Sequence, residues 1–199
     1  MGLLSRLRGI LRPDLNAREA DEYEIRGFPV ALDNSARPDI APNVVLARLD
    51  EALSLIESSQ PWRLRHMRQD LNGFLIVRYP CRGAFFPNER ICMTELTFLA
   101  RTDITAAPVA ASIVHEGMHA RVHAACNPGL ARDRAHEERI CRRAELDFGR
   151  ALPGDLGAPV IERALASLEL GDEDVAPTID WNEAQRRQNI IDDVARKNQ

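Results

Sequence analysis

The feature that most constrains this chain is a histidine pair set four residues apart in an apolar, alanine-rich run. The run reads Val109-Ala-Ala-Ser-Ile-Val-His115-Glu116-Gly117-Met118-His119-Ala-Arg-Val122. On an α-helix, residues four apart lie on one face, a turn apart. His115 and His119 can therefore aim two imidazole nitrogens at one point, the arrangement a chelated metal ion needs. Glu116 lies about 100° round the helix from His115, near that point but offset from it. It is placed to handle a proton there rather than to bind. Ser112, Ile113, Val114, Gly117, Met118 and Ala120 are all uncharged, as a helix packed inside a protein requires. Arg121 breaks that pattern and predicts that the helix surfaces at its position.

At 199 residues the chain suits a single domain, spanning 1–199, with a substantial core. The net charge of −4 argues against a nucleic-acid partner. Lys197 is the only lysine, so the positive charge is carried almost wholly by arginine. The four cysteines (Cys81, Cys92, Cys126, Cys141) show no C-x-x-C spacing and do not call for an oxidising compartment. Residues 1–12 are amphipathic, with apolar positions interrupted by Arg6, Arg8 and Arg12. The interruption argues against a secretory signal, and no run approaches the ~20 apolar residues of a membrane span. The expectation is a cytoplasmic protein. Residues 1–12 are read as a docked or frayed helix or, alternatively, a weak contact with a membrane surface.

Along the chain, Asp14–Glu24 is polar and reads as loop, and Ile25–Leu32 reads as a short extended piece. Asn43 is placed to cap a helix in which Val45, Leu46, Leu49, Leu53 and Ile56 recur at helical spacing. Pro61 ends it and opens a second helix, Trp62–Leu71. A β-prone stretch follows at Gly73–Tyr79, and Gly83–Phe86 and Arg90–Phe98 flank Pro87-Asn88-Glu89 as a hairpin. The motif helix is predicted from near Thr105, with Pro108 in its first turn, to the stop at Asn127-Pro128-Gly129. A Glu-rich helix is predicted from Asp133 to Leu152, then helices over Ala158–Leu170 and Asp180–Lys197. Asp180 and Glu183 make a capping-box-like start to the last.

The H-E-x-x-H helix, preceded by a small β portion and followed by a Glu-rich helix, resembles the zincin metallopeptidases. The resemblance covers about 60 residues, from the hairpin through the Glu-rich helix. It implies a mostly helical α+β fold with a small antiparallel sheet beside the motif helix, whose edge strand holds an extended substrate. It also implies a bound Zn²⁺ with His115 and His119 as ligands and a peptide or protein substrate. Glu116 would be the general base acting on a metal-activated water. The metzincin spacing H-x-x-G-x-x-H is missing, which points to the gluzincin type, with a glutamate as third ligand.

Three glutamates on the next helix compete for that role. Antiparallel helices about a turn near residue 129 would set Gly117 level with residue 141, between Glu138 and Glu145, so helix geometry leaves the choice open. Eighteen residues (120–137) separate His119 from Glu138. That spacing resembles aminopeptidase-type gluzincins and selects Glu138, with Glu145 and Glu137 as alternatives. A glutamate that is not a ligand would orient a ligand histidine through its other ring nitrogen. Tyr23, Tyr79, His123 and His136 are the candidates to stabilise an oxyanion. Cys141 lies within one turn of Glu138 and could close the metal site, which would favour the rival reading, a non-catalytic metal-stabilised regulatory or interaction domain. A deformylase-like site would need Cys92 as ligand, but the glycine-rich and glutamine elements of that family are missing.

Overall fold

The computed structural model describes residues 20–125 and 133–197. The chain begins with a hairpin of β1 (Asp21–Ile25) and β2 (Phe28–Asp33). Arg26 and Gly27 turn it, both with positive φ (49° and 78°), as the twist-matched two-residue hairpin turn demands. The predicted loop over Asp14–Glu24 is thus corrected at its end: β1 is polar because it is an exposed edge strand, not because it is unstructured. Helix α1 (Pro42–Ser59) buries Val45, Leu49, Leu53 and Ile56 on one stripe. It starts one residue before the expected Asn43 cap. Pro42 fills its first turn, where a missing N–H costs nothing. Helix α2 (Pro61–Asp70) follows immediately.

Strands β3 (Gly73–Val77), β4 (Gly83–Phe86) and β5 (Ile91–Glu95) complete a five-stranded sheet ordered β1-β2-β3-β5-β4. The β4–β5 hairpin is antiparallel as read from the sequence. The sheet as a whole is mixed rather than antiparallel, because β2, β3 and β5 run parallel. The α1–α2 crossover returns the chain in the same direction between β2 and β3, and β4 reverses it on the outer side of β5 so that β5 runs parallel to β3. All five residues of β3 are buried, the mark of a parallel strand covered on both faces. Strand β5 also ends earlier than predicted. The Glu95 carboxylate accepts from the Phe98 amide and caps the short helix α3 (Leu96–Leu99).

The motif helix is α4 (Ala106–Ala125), with the Thr105 hydroxyl accepting from the Ala107 amide at its start. Helix α5 (Arg134–Ala151) carries the glutamates and is capped by the Asp133 side chain. A 3₁₀ turn (Gly154–Gly157) leads into α6 (Ala158–Leu168), then α7 (Asp172–Val175) and α8 (Trp181–Lys197). Asp180 caps α8 through the amides of Asn182 and Glu183, but the Glu183 carboxylate pairs with Arg186 and Arg187 instead of completing a box. The expected helix stop at Asn127-Pro128-Gly129, the amphipathic 1–12 segment and Cys126 lie outside the described residues.

The protein is therefore α+β and mostly helical. Its main core joins the α1 stripe to Val109, Ala110, Ile113 and Val114 of α4 and to Val30, Phe74 and Ile76 on one sheet face. Leu75, Val77, Ile91 and Met93 point to the opposite face and form a second, smaller cluster. Helix α8 is held to the sheet by a buried ion-pair network. Arg78 reaches Asp192 at 3.0 Å and Glu95 at 2.8 Å. Among the described residues, no helix is long and apolar enough to cross a membrane.

Candidate metal centre

Helix α4 delivers its histidines because its apolar face is wedged into the core. Gly117, between them, lets Met67 of α2 pack against the helix backbone. His115 is buried and His119 half-buried, and their Nε2 atoms lie 3.1 Å apart. Helix α5 runs antiparallel to α4: His119 meets Glu137 and Glu138, whereas His115, one turn earlier, meets Glu138 and Glu145. The Glu138 carboxylate faces both Nε2 atoms, with one oxygen 3.2 Å from His115 and the other 3.4 Å from His119.

The far side of each ring is also engaged. His115 Nδ1–H donates to Glu145 Oε1 at 2.6 Å, and His119 Nδ1–H donates to Glu137 Oε1 at 2.8 Å. Each carboxylate accepts, so these contacts anchor a proton on Nδ1 of each ring, and in the neutral ring they leave the Nε2 lone pair turned towards Glu138. All three candidate glutamates thus meet the histidines, but in two different roles. Glu138 shares the Nε2 side, and Glu137 and Glu145 hold the Nδ1 sides.

Electrostatics favour positive charge at the centre. Burial acts against a charged His119, but hydrogen bonds with Cys141, Glu137 and Glu138 outweigh it and hold the ring up at about 12. Burial likewise opposes charge on His115, and Glu138 and Glu145 overcome it and raise the ring. Burial raises Glu138 and Glu145, but the facing imidazoles more than offset it and hold both below the ordinary carboxylate range. Glu116 is raised by burial, with the histidines only partly countering it.

The centre opens onto a cavity of about 510 Å³. Glu116 and Ser112 form its floor, and Gly83–Phe85 of β4, the last strand of the sheet on that side, form one wall. A Cβ at Gly83 would sit 2.9 Å from Ser112 Oγ and 3.1 Å from Glu116 Oε1, so only glycine lets the strand come this close. Trp181 and Ile179 stand at the α8 side.

The predicted oxyanion candidates do not converge here. Tyr23 bonds Asp21 on β1, Tyr79 packs between Phe86 and Trp181, His123 packs on Phe85, and His136 is exposed. None of the four lines the cavity. Arg82, Arg142 and Arg163 do line it. No local motif in the sequence marks these three arginines as site residues. Arg121 emerges at the surface end of the motif as expected, pairing with Asp70 at 3.3 Å.

Cys141 also belongs to the cluster. Its sulfur and a nitrogen from each of His115 and His119 lie within 4.8 Å of one another, a group able to hold a metal ion. Cys141 is fully buried and, unlike the two histidines, does not line the cavity. Cys92 is buried in β5 and does not line the cavity either.

The donor set fits a divalent cation. Two imidazoles with their Nδ1 protons anchored, and a carboxylate, present one face of a tetrahedron. At zinc–ligand distances of ~2.0–2.1 Å and tetrahedral angles, neighbouring ligand atoms lie about 3.3–3.4 Å apart. The two Nε2 atoms lie 3.1 Å apart, and each lies at a comparable spacing, 3.2 and 3.4 Å, from a different oxygen of the Glu138 carboxylate. Comparison with protein-family models, with curated proteins and with solved structures returns no match.

Proposed function

We propose that the protein is a zinc-dependent metallohydrolase of the zincin-like, gluzincin type, and a peptidase in particular. The observation that carries this reading is the triangle of two Nε2 atoms and the Glu138 carboxylate beside a buried Glu116, all facing one cavity. His115, His119 and Glu138 would hold the zinc, which when bound supplies Lewis-acid activation of water and of the substrate carbonyl.

The chain's own residues do the rest. Glu145 and Glu137 fix the imidazole rings by accepting their Nδ1 protons. Glu116, desolvated beside Gly83, takes a proton from the attacking water and hands it to the leaving amine. The edge of β4, unpaired among the described residues, offers backbone donors and acceptors to an extended peptide, holding its amide above Glu116.

Glu116→Gln tests the reading. The variant keeps the fold and the zinc and loses hydrolysis of peptide substrates by about 10²–10⁴-fold. Unchanged turnover, or loss of the metal, contradicts it. A second reading is favoured by Cys141: if its thiolate joins the two histidines and Glu138, the site is closed and the chain is a metal-stabilised regulatory or interaction domain. The burial of Cys141 away from the cavity and the presence of Glu116 on the open side both support the hydrolase.

A further inference from the structure

One end of the cavity carries more positive charge than the metal centre uses. Arg142 of α5 donates to Glu145 at 2.7 Å, but its Nε is buried without a partner. Arg163 of α6 is half-buried, and its guanidinium makes no ion pair or hydrogen bond among the described residues. Arg82, on the loop from β3 to β4, lies over the Phe98 ring at 5.4 Å and likewise meets no carboxylate among them. Burial lowers the proton affinity of Arg163, Glu145 pulls it back up, Arg142 and Arg82 push it down again, and Glu116 adds a smaller pull. Glu145 is already shared between His115 and Arg142. Three guanidiniums line this cavity, and among the described residues only Glu145 pairs with any of them, through Arg142, so the cluster is short of a directly bonded anion.

The position of the cluster selects the anion. Arg82 immediately precedes Gly83, the β4 residue packed against Glu116. An extended peptide paired antiparallel along β4 runs from Phe86 towards Gly83 and arrives at the arginines with its C-terminal end. At ~3.3 Å per residue, only one or two residues fit between an amide above Glu116 and that cluster.

We propose that Arg82, Arg142 and Arg163 form a subsite for the α-carboxylate of a peptide, making the centre one that releases one or two residues from a C-terminus. The proposal rests on the peptidase reading above, and binding separates the two. Zinc-loaded Glu116→Gln protein is titrated with acetyl-Ala-Ala-Ala as the free acid and as its C-terminal amide, followed by Trp181 fluorescence and calorimetry. The acid binds at least about 10-fold more tightly than the amide. Adding Arg163→Gln, or the exposed Arg82→Gln where the first perturbs folding, brings the acid down towards the amide with zinc content unchanged.

Equal binding of acid and amide overturns the subsite. So does displacement of the acid by inorganic phosphate at lower concentration than the acid itself needs, which would assign the arginines to a phosphate group. If the acid binds preferentially but wild-type protein cleaves neither peptide, the subsite stands and the peptidase reading falls. If wild-type protein cleaves both equally, the peptidase reading stands and the subsite falls.

Discussion

Glu145 Oε1 lies 2.6 Å from His115 Nδ1 and also accepts from Arg142 at 2.7 Å, so one buried carboxylate fixes the His115 imidazole and anchors a cavity arginine. It turns His115 Nε2 towards the centre without approaching the centre itself. Glu145→Gln therefore keeps the ligand triangle but weakens zinc affinity by about 10–100-fold. A chelator competition titration measures this directly. Glu137→Gln, on the other ring, is expected to show the same direction, whereas Glu138→Ala, which removes the proposed third ligand, is expected to lose far more. Equal effects of all three substitutions would contradict the division of roles.

Gly83→Ala places a methyl group 2.9 Å from Ser112 Oγ and 3.1 Å from Glu116 Oε1. Strand or carboxylate must shift, and if Glu116 is the base proposed above, a displacement of a fraction of an ångström to 1 Å loses up to about 10²-fold in rate. The expected outcome is a folded, zinc-loaded protein with reduced kcat, checked by circular dichroism, metal content and steady-state kinetics together.

Much of this centre is legible in the sequence because helical periodicity fixes relative direction. His115 and His119 share a face, Glu116 sits beside it, and the apolar residues around them announce a packed helix. What periodicity does not fix is the level and rotation at which α5 meets α4. Glu137, Glu138 and Glu145 were therefore named without their positions on the two rings being readable, and helix geometry left the ligand open. Cys141 was within reach by its spacing from Glu138, but which side of the centre it occupies depends on packing. Arg82 and Arg163 belong to a loop and a helix joined to the site only through tertiary structure, so no local pattern signals them. The mixed sheet had a readable sign, the unbroken apolar run Phe74–Val77, which strict in–out alternation does not explain.

The thiols predict a reactivity pattern. Burial, reinforced by the nearby Glu116 charge, pushes Cys81 up to about 12, and Cys92 is raised by the same two causes. Thiolate is the reactive form, so at pH 8 Cys81 alkylates about 10³-fold more slowly than a free thiol of ordinary pKa. Iodoacetamide labelling of native protein, mapped peptide by peptide, checks this. Rapid labelling of Cys81 would place it in a different environment.

Helix α8 depends on Arg78. With Asp192 at 3.0 Å and Glu95 at 2.8 Å, Arg78→Ala leaves two buried carboxylates without their main partner. The cost is about 3–5 kcal/mol of stability, read from urea unfolding. Because α8 carries Trp181 to the cavity mouth, its fluorescence should report release of the helix before the main transition.

Metal analysis tests the central claim most directly. Protein purified without chelator and exchanged into zinc-containing buffer, then desalted, should retain about one zinc per chain, with a ligand shell of nitrogen and oxygen at ~2.0–2.1 Å by X-ray absorption. His119→Ala should lose that zinc. A metal-free wild-type protein after the same treatment would contradict the metallohydrolase account, and so would a Zn–S distance of ~2.3 Å that disappears in Cys141→Ser.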